Sequence, residues 1–308
     1  MDRQSISARL FVTGLGGFVG SHLAARIALD PAVYELAKAI DFELRDPASL
    51  ERALSSARPD LVVHLAAQSS VAESLRDPRT TYEINYLGTL NLLEALSATG
   101  FHGRMLYVGS GDEYGFVADT ELPVPETHPL RPRNPYAVSK VAAEALCYQW
   151  SQTGAFEIVL ARPFNSIGPG QGTRFAIADF ARQIVEAARG RRPPRLETGD
   201  LDVTRDFTDV RDVVAAYLVL LERGVNGEAY NVCSGREQVL RDLVEQMAAL
   251  AGVALELVTV PARMRPGEQR RMVGDAAKLF KQTGWFASTP VATTLRDIID
   301  DWSGRIGE

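Results

Sequence analysis

Tyr136 and Lys140 stand four residues apart in Asn134-Pro135-Tyr136-Ala137-Val138-Ser139-Lys140, a spacing that puts both side chains on one face of a helix. A phenol with a pKa near ~10 exchanges protons poorly at neutral pH, but a nearby ammonium favours the phenolate and lowers that pKa. Such a pair can pass a proton to or from a sugar oxygen. It is also an ordinary helical pair, so the neighbouring segments decide what it means.

Two further stretches carry chemistry. Leu10-Phe11-Val12-Thr13 reads as a buried strand and runs into Gly14-Leu15-Gly16-Gly17-Phe18-Val19-Gly20, after which a helix is expected to about Leu29. Glycines at 14, 17 and 20 let backbone amides and a helix N-terminus approach a pyrophosphate; the plain alternative is a glycine-rich strand-to-helix turn. Ser110 ends the apolar run Met105-Leu106-Tyr107-Val108-Gly109 and opens Gly111-Asp112-Glu113-Tyr114-Gly115. At the carboxyl end of a parallel strand it faces a ligand crevice, or it simply caps the turn.

The elements that must position these groups alternate as strand and helix up to Pro163. Residues 47–57 read as an amphipathic helix, 60–67 as a strand ending in small residues, 82–96 as a helix and 158–163 as a further strand. This pattern predicts an α/β doubly wound parallel sheet of the Rossmann type. Between Ala32 and Asp46 one strand and its loop look shortened or fused. Asp41 has the spacing of a ribose-reading acid, about 20 residues beyond the glycines, but reads better as a solvated loop residue, which leaves NAD and NADP undistinguished. His64, inside an apolar strand, reads as a hydrogen-bonded core residue, and Asn85 as a surface amide or a cofactor contact. Beyond Asn165 the alternation breaks down, with helices near 175–189, 213–221, 239–251 and 290–306. The domain reading is 1–165 mainly for a dinucleotide and 166–308 mainly a smaller substrate domain, with some segments returning to the first.

Composition removes several classes. The 308 residues are 46% hydrophobic, enough to bury a sizeable core. A net charge of -6 argues against a sequence-independent nucleic-acid binder. Cys147 and Cys233 read as packing residues, with neither a disulfide framework nor a metal site indicated. No apolar run approaches ~18 residues and the first residues lack signal-peptide character, so no membrane association and a cytoplasmic location are expected.

Taken together, these motifs resemble the extended short-chain dehydrogenase/reductases that act on nucleotide sugars, over nearly the whole chain. Residues 14–20 are similar to that family's cofactor turn, His64-Leu65-Ala66-Ala67 to its cofactor-lining strand, and 134–140 to its Tyr-x-x-x-Lys motif. Within the family, Gln68-Ser69-Ser70-Val71, residues 164–171, residues 205–212 and Tyr230-Asn231-Val232-Cys233-Ser234-Gly235 are similar to the GDP-4-keto-6-deoxy-D-mannose reductases, which form GDP-D-rhamnose. The resemblance implies NADPH or NADH as cofactor and a GDP-linked 4-keto-6-deoxy sugar as substrate. It implies cofactor contacts at Gly14, Gly17, Phe18, Val19, Gly20, Leu65, Ala66, Ala67, Asn85, Tyr136 and Lys140. Tyr136 would protonate the carbon-4 oxygen, Lys140 hold the ribose and lower the phenol pKa, and Ser110 orient the carbonyl. Ser70, Asn165, Arg205, Arg265 and Glu268 would contact the nucleotide sugar, Arg205 on its diphosphate. A homodimer through a four-helix bundle of the helices near 82–97 and 137–153 is implied as well.

The competing readings are a GDP-mannose 4,6-dehydratase, a carbon-4 epimeric reductase giving GDP-6-deoxy-D-talose, and a non-enzymatic dinucleotide sensor. Dehydration needs a glutamate base two residues before the tyrosine that corresponds to Tyr114. This chain has the shorter Asp112 there, so Asp112 is an auxiliary catalytic candidate and the hinge between the first two readings.

Overall fold

The computed structural model describes residues 7–38, 40–264 and 269–307. In the first half, β1 (Ala8–Thr13), α1 (Phe18–Leu29), β2 (Tyr34–Leu36), α2 (Pro47–Ala57) and β3 (Leu61–His64) lead to α3 (Val71–Arg76), α4 (Pro78–Tyr82) and α5 (Gly88–Ala98). Then come β4 (Arg104–Val108), α6 (Pro135–Thr153), β5 (Glu157–Pro163), β6 (Asn165–Ile167), α7 (Ala176–Ala188), β7 (Arg195–Thr198), β8 (Thr204–Asp209) and α8 (Val210–Arg223). The chain closes with β9 (Ala229–Val232), β10 (Glu237–Val239), α9 (Leu240–Leu250), β11 (Glu256–Thr259), α10 (Ala277–Thr283) and α11 (Val291–Gly307).

Six strands form one parallel sheet in the order β2-β1-β3-β4-β5-β9. Its side chains alternate between two cores, as a strand period of two requires. Leu10, Val12, Val63, Leu106, Val159 and Ala161 join α1 and α8 on one face. Phe11, Val62, Met105, Tyr107, Ile158 and Leu160 join α2, α5 and α6 on the other. Each fully buried leucine in these layers contributes about 2 kcal/mol relative to exposure. Because both faces are covered, the strands are apolar over most of their length, which is why they stand out in the sequence.

The chain leaves β1 for β2 on one side and returns to place β3 on the other, so the order reverses between β1 and β3. In such sheets the crevice beyond the carboxyl ends at the reversal receives the ligand. The abbreviated stretch after Ala32 is real. The three-residue β2 is the single strand between α1 and α2 among the described residues, and Phe42 and Leu44 fill the space beyond it against Phe11 and the α2 layer.

After Asn165, β6, β8 and β10 make a three-stranded sheet, while β7 and β11 form a separate parallel pair. A third cluster, including Ile177, Ile184, Phe207, Leu243, Met247, Leu295 and Ile298, packs α7, α9 and α11 over these strands. β9 returns to the large sheet beside β5, which sets the carboxyl ends of the large sheet next to the loops that follow β5 and β9.

Candidate active site

Asn134 begins α6 by accepting the Ala137 amide on its side chain at 2.8 Å, and Pro135 occupies the first turn, where a missing N–H costs nothing. That cap fixes Tyr136 in the first turn and Lys140 one turn later. Both are inside the protein, Tyr136 9% and Lys140 4% exposed. The Lys140 ammonium donates to the Val108 carbonyl at the end of β4, 2.8 Å away, and the Tyr107 hydroxyl donates back to the Lys140 carbonyl at 3.1 Å. α6 is thereby held against the strand end that presents Ser110.

Ser110 caps its turn, the second of the two readings, and also reaches the phenol. It caps the short 3-10 turn Gly111–Tyr114, accepting the Asp112 amide at 3.2 Å, and its hydroxyl meets the Tyr136 phenol. Asp112 is exposed and raises the Tyr136 pKa by its charge.

One expectation is corrected. Lys140 does not dominate the phenol. Burial pushes the Tyr136 pKa above its ordinary value, Asp112 adds to this and Ser110 opposes it. The phenol is therefore protonated at neutral pH, ready to donate. The ammonium donates one of its hydrogen bonds to Val108, and burial lowers the Lys140 pKa to about 8.

At the end of β1, Gly14 has φ +74°, and the Gly17 amide donates to its carbonyl at 3.0 Å. A Cβ at Gly14 would lie 2.8 Å from the Ala66 nitrogen, and one at Gly20 2.4 Å from the Gly14 oxygen, so neither position admits a side chain. α1 starts at Phe18 with no side-chain cap on its first amides. A bare turn, uncapped amides at a helix N-terminus and the small residues Ala66 and Ala67 just past β3 together fit a dinucleotide pyrophosphate and the groups attached to it. Leu65 and Ala66 are tied to Thr13 through its carbonyl and its hydroxyl, at 3.2 and 3.1 Å.

His64 is a core residue, as its setting in the strand implied. Its Nδ1 meets the Thr13 hydroxyl at 2.7 Å and its Nε2 the Thr89 hydroxyl at 2.9 Å, and burial lowers its pKa to about 3. The Thr13 hydroxyl already accepts from Ala66 and Thr89 already donates to the Asn85 carbonyl, so the network closes with a neutral ring protonated on Nε2.

Asn85 is not the surface amide that was one of its two readings. It is 2% exposed, on a single π-helical turn between α4 and α5, and its amide is fully used: Oδ1 accepts from the Gln68 amide, while Nδ2 donates to the Gln68 carbonyl and the Ser139 hydroxyl. It ties the loop after β3 to α6. Its position in a helical repeat gave no sign of this, because the π-turn rotates it inward.

Asn165 and Arg205 are brought together on adjacent strands: β6 runs beside β8, and Asn165 donates to the Asp206 carbonyl at 3.0 Å. Beneath them Asp206, fully buried, accepts from the Ser234 amide and hydroxyl and from the amides of Gly235 and Gly274, pinning the loop after β9. Ser70 caps α3, accepting the Glu73 amide. Arg265 and Glu268 lie outside the described residues. Two site neighbours were missed in the sequence. His22 bonds the Pro169 carbonyl at 2.8 Å and stacks edge-on with Phe18, joining the glycine turn to the loop after β6. Lys38 follows β2, whose register with β1 continues through Ala37, so it stands exposed just past the carboxyl end of β2.

The sequence profile of the family described as GDP-mannose 4,6 dehydratase matches residues 28–298. The chain belongs to this family of extended short-chain dehydrogenase/reductases. A GDP-6-deoxy-D-mannose reductase of Pseudomonas aeruginosa is 51% identical over 304 residues, covering 98% of this chain and 100% of that protein. The structure of RMD from Pseudomonas aeruginosa complexed with NADPH aligns with a TM-score of 0.93 at 50% identity, over 97% of this chain and 100% of the other. UDP-glucose 4-epimerase 4 of Oryza sativa subsp. japonica is 30% identical over 94% of this chain and 89% of its own. The family thus spans dehydratases, reductases and epimerases, so the family description by itself does not select the reaction. Residues 110, 136 and 140 lie within the stretch matched by the profile; the glycine turn precedes it and is recognised by its geometry.

Proposed function

We propose that the protein reduces the 4-keto group of GDP-4-keto-6-deoxy-D-mannose with NADPH or NADH, forming GDP-D-rhamnose. The observation that carries this reading is the 51% identity, over essentially both full lengths, to a GDP-6-deoxy-D-mannose reductase. The site is suited to it. A phenol kept protonated by burial is a proton donor for the oxygen of a ketone undergoing reduction, and Ser110 beside it can hold that oxygen. Lys140, anchored to Val108, supplies positive charge and a hydrogen-bond donor next to where a nicotinamide ribose would lie. When bound, the reduced nicotinamide supplies the hydride. Asn165 and Arg205 are assigned to the nucleotide sugar, Arg205 as the diphosphate clamp. Asp112 in place of a glutamate base favours reduction over dehydration. The test is that GDP-mannose with oxidised cofactor yields no 4-keto product; its accumulation would support the dehydratase instead.

Lys38 sharpens the cofactor. Enzymes of this sheet type that use NAD place an acid at the end of the second strand, where it binds the ribose diol and repels a 2′-phosphate. A lysine at the end of β2 has the opposite preference, and NADPH is the preferred cofactor in this reading. Lys38→Glu is expected to lower kcat/KM for NADPH by about 10-fold or more and to leave NADH nearly unaffected, measured by initial rates with each cofactor. An equal loss with both cofactors would remove Lys38 from that role.

Tyr82, Leu87 and Val138 leave apolar surface exposed along residues 82–87 and on α6, which pack against one another. The helices at about 82–97 and 137–153 are the proposed partners in a four-helix-bundle homodimer.

A further inference from the structure

The Tyr136 and Lys140 face of α6 continues one turn deeper to Glu144, 6% exposed, and there it meets a group that the reduction as described above does not use. Glu113, second to last in the turn opened by Ser110, is fully buried. Its Oε1 accepts the Ser110 amide at 2.8 Å, so it holds the backbone of the residue that faces the phenol. Its Oε2 is buried and has no hydrogen-bond partner so long as the carboxyl is ionised.

The guanidinium beside it among the described residues, that of Arg162, is already committed. Arg162, from β5, grips Glu144 with Nε at 2.9 Å and a terminal nitrogen at 2.6 Å, and its other terminal nitrogen donates to the Tyr114 hydroxyl and the Glu126 carbonyl. The single hydrogen on Nε goes to Glu144, which leaves Glu113 Oε2 at 3.6 Å from that nitrogen without a bond. An ionised carboxylate in this position would have Arg162 only as a charge neighbour at 3.6 Å and no hydrogen bond on its buried Oε2, a setting that favours the neutral form. The Glu144 carboxyl lies within hydrogen-bonding reach of Glu113, so one proton on Oε2 satisfies the orphaned oxygen and removes a repulsion between two acids at once.

We infer that Glu113 is a positioning residue for the reduction: a neutral carboxylic acid that braces the Ser110 turn through Oε1 and donates from Oε2 to the Glu144 carboxylate held by Arg162. The bracket links the three elements that carry the site, the turn after β4, α6 and β5, in one buried network. Burial first, and Glu144 second, raise the Glu113 pKa well above the carboxylate range. The other titratable or charged groups that face it are Lys140 and Cys147 on α6, Tyr136 at its start, Tyr107 on β4, the neighbouring Tyr114 and Arg162 on β5.

This inference rests on the reductase reading for its kinetic arm only. Glu113→Gln keeps an acceptor for Ser110 and a donor for Glu144, whereas Glu113→Leu keeps neither. With keto sugar and NADPH, the glutamine variant is expected to retain most of kcat, while the leucine variant loses about 10- to 100-fold in kcat with little change in KM for NADPH. The pH profile of kcat/KM is expected to be unchanged in the glutamine variant because no charge has been removed. A profile shifted to lower pH, or a glutamine variant as impaired as the leucine one, would show that the ionised carboxylate is required and overturn the inference. Two variants that lose thermal stability yet keep kcat would overturn the positioning role. Independently of turnover, the infrared spectrum at neutral pH should contain a protonated-carboxyl stretch in the wild type that is missing from Glu113→Gln; a wild type without it refutes the inference even if no keto sugar is turned over.

Discussion

Tyr136→Phe is expected to lower kcat by about 1,000-fold while leaving the affinity for NADPH nearly unchanged, the loss appropriate to removing a positioned general acid. The ring packs at the start of α6 with 9% exposure, and phenylalanine fills the same space, so folding and the Asn134 cap survive the change. Only the hydroxyl is lost. In the wild type that hydroxyl is protonated because burial disfavours the phenolate, and the Ser110 hydroxyl beside it offers a second contact for the same carbonyl oxygen. Stopped-flow single-turnover rates, with cofactor titrated by fluorescence, separate the chemical step from binding. Turnover within a few-fold of wild type would remove Tyr136 from the mechanism.

Gly20→Ala is expected to weaken NADPH binding on the order of 100-fold, about 2.7 kcal/mol, while the two cores of the large sheet remain formed. The new methyl would sit 2.4 Å from the Gly14 carbonyl oxygen and 2.6 Å from that of Leu15, both backbone atoms that must move for it to fit. Movement there opens the turn whose amides the pyrophosphate needs. Gly16→Ala is the control. A Cβ at position 16 meets nothing within 4 Å, so its affinity should stay close to wild type by isothermal titration. Equal affinities for all three proteins would show that the cofactor does not use this turn.

Most of the architecture was readable because its signals are local. The alternation of Leu10, Phe11 and Val12 between two cores, the Asn134-Pro135 cap and the glycine spacing each follow from a few consecutive residues. The site was readable as a set of candidates and less so as a set of roles. Asn85 and Asp206 acquire their functions from backbone groups far away in the chain, and Glu113 from an arginine whose own partner is chosen by packing. The state of the Tyr136 phenol could not be read from the Tyr-Lys spacing, because burial outweighs the charge and burial is a property of the assembled site. Lys38 was obscured because β2 is three residues long and offers too little alternation to locate its end.

The central claim is a stereospecific 4-keto reduction, and the product tests it most directly. Purified protein supplied with GDP-4-keto-6-deoxy-D-mannose and NADPH should oxidise one equivalent of cofactor per sugar, and proton NMR of the isolated product should show the carbon-4 configuration of GDP-D-rhamnose. The opposite carbon-4 configuration, that of GDP-6-deoxy-D-talose, or an unconsumed keto sugar with NADPH intact, would contradict the account.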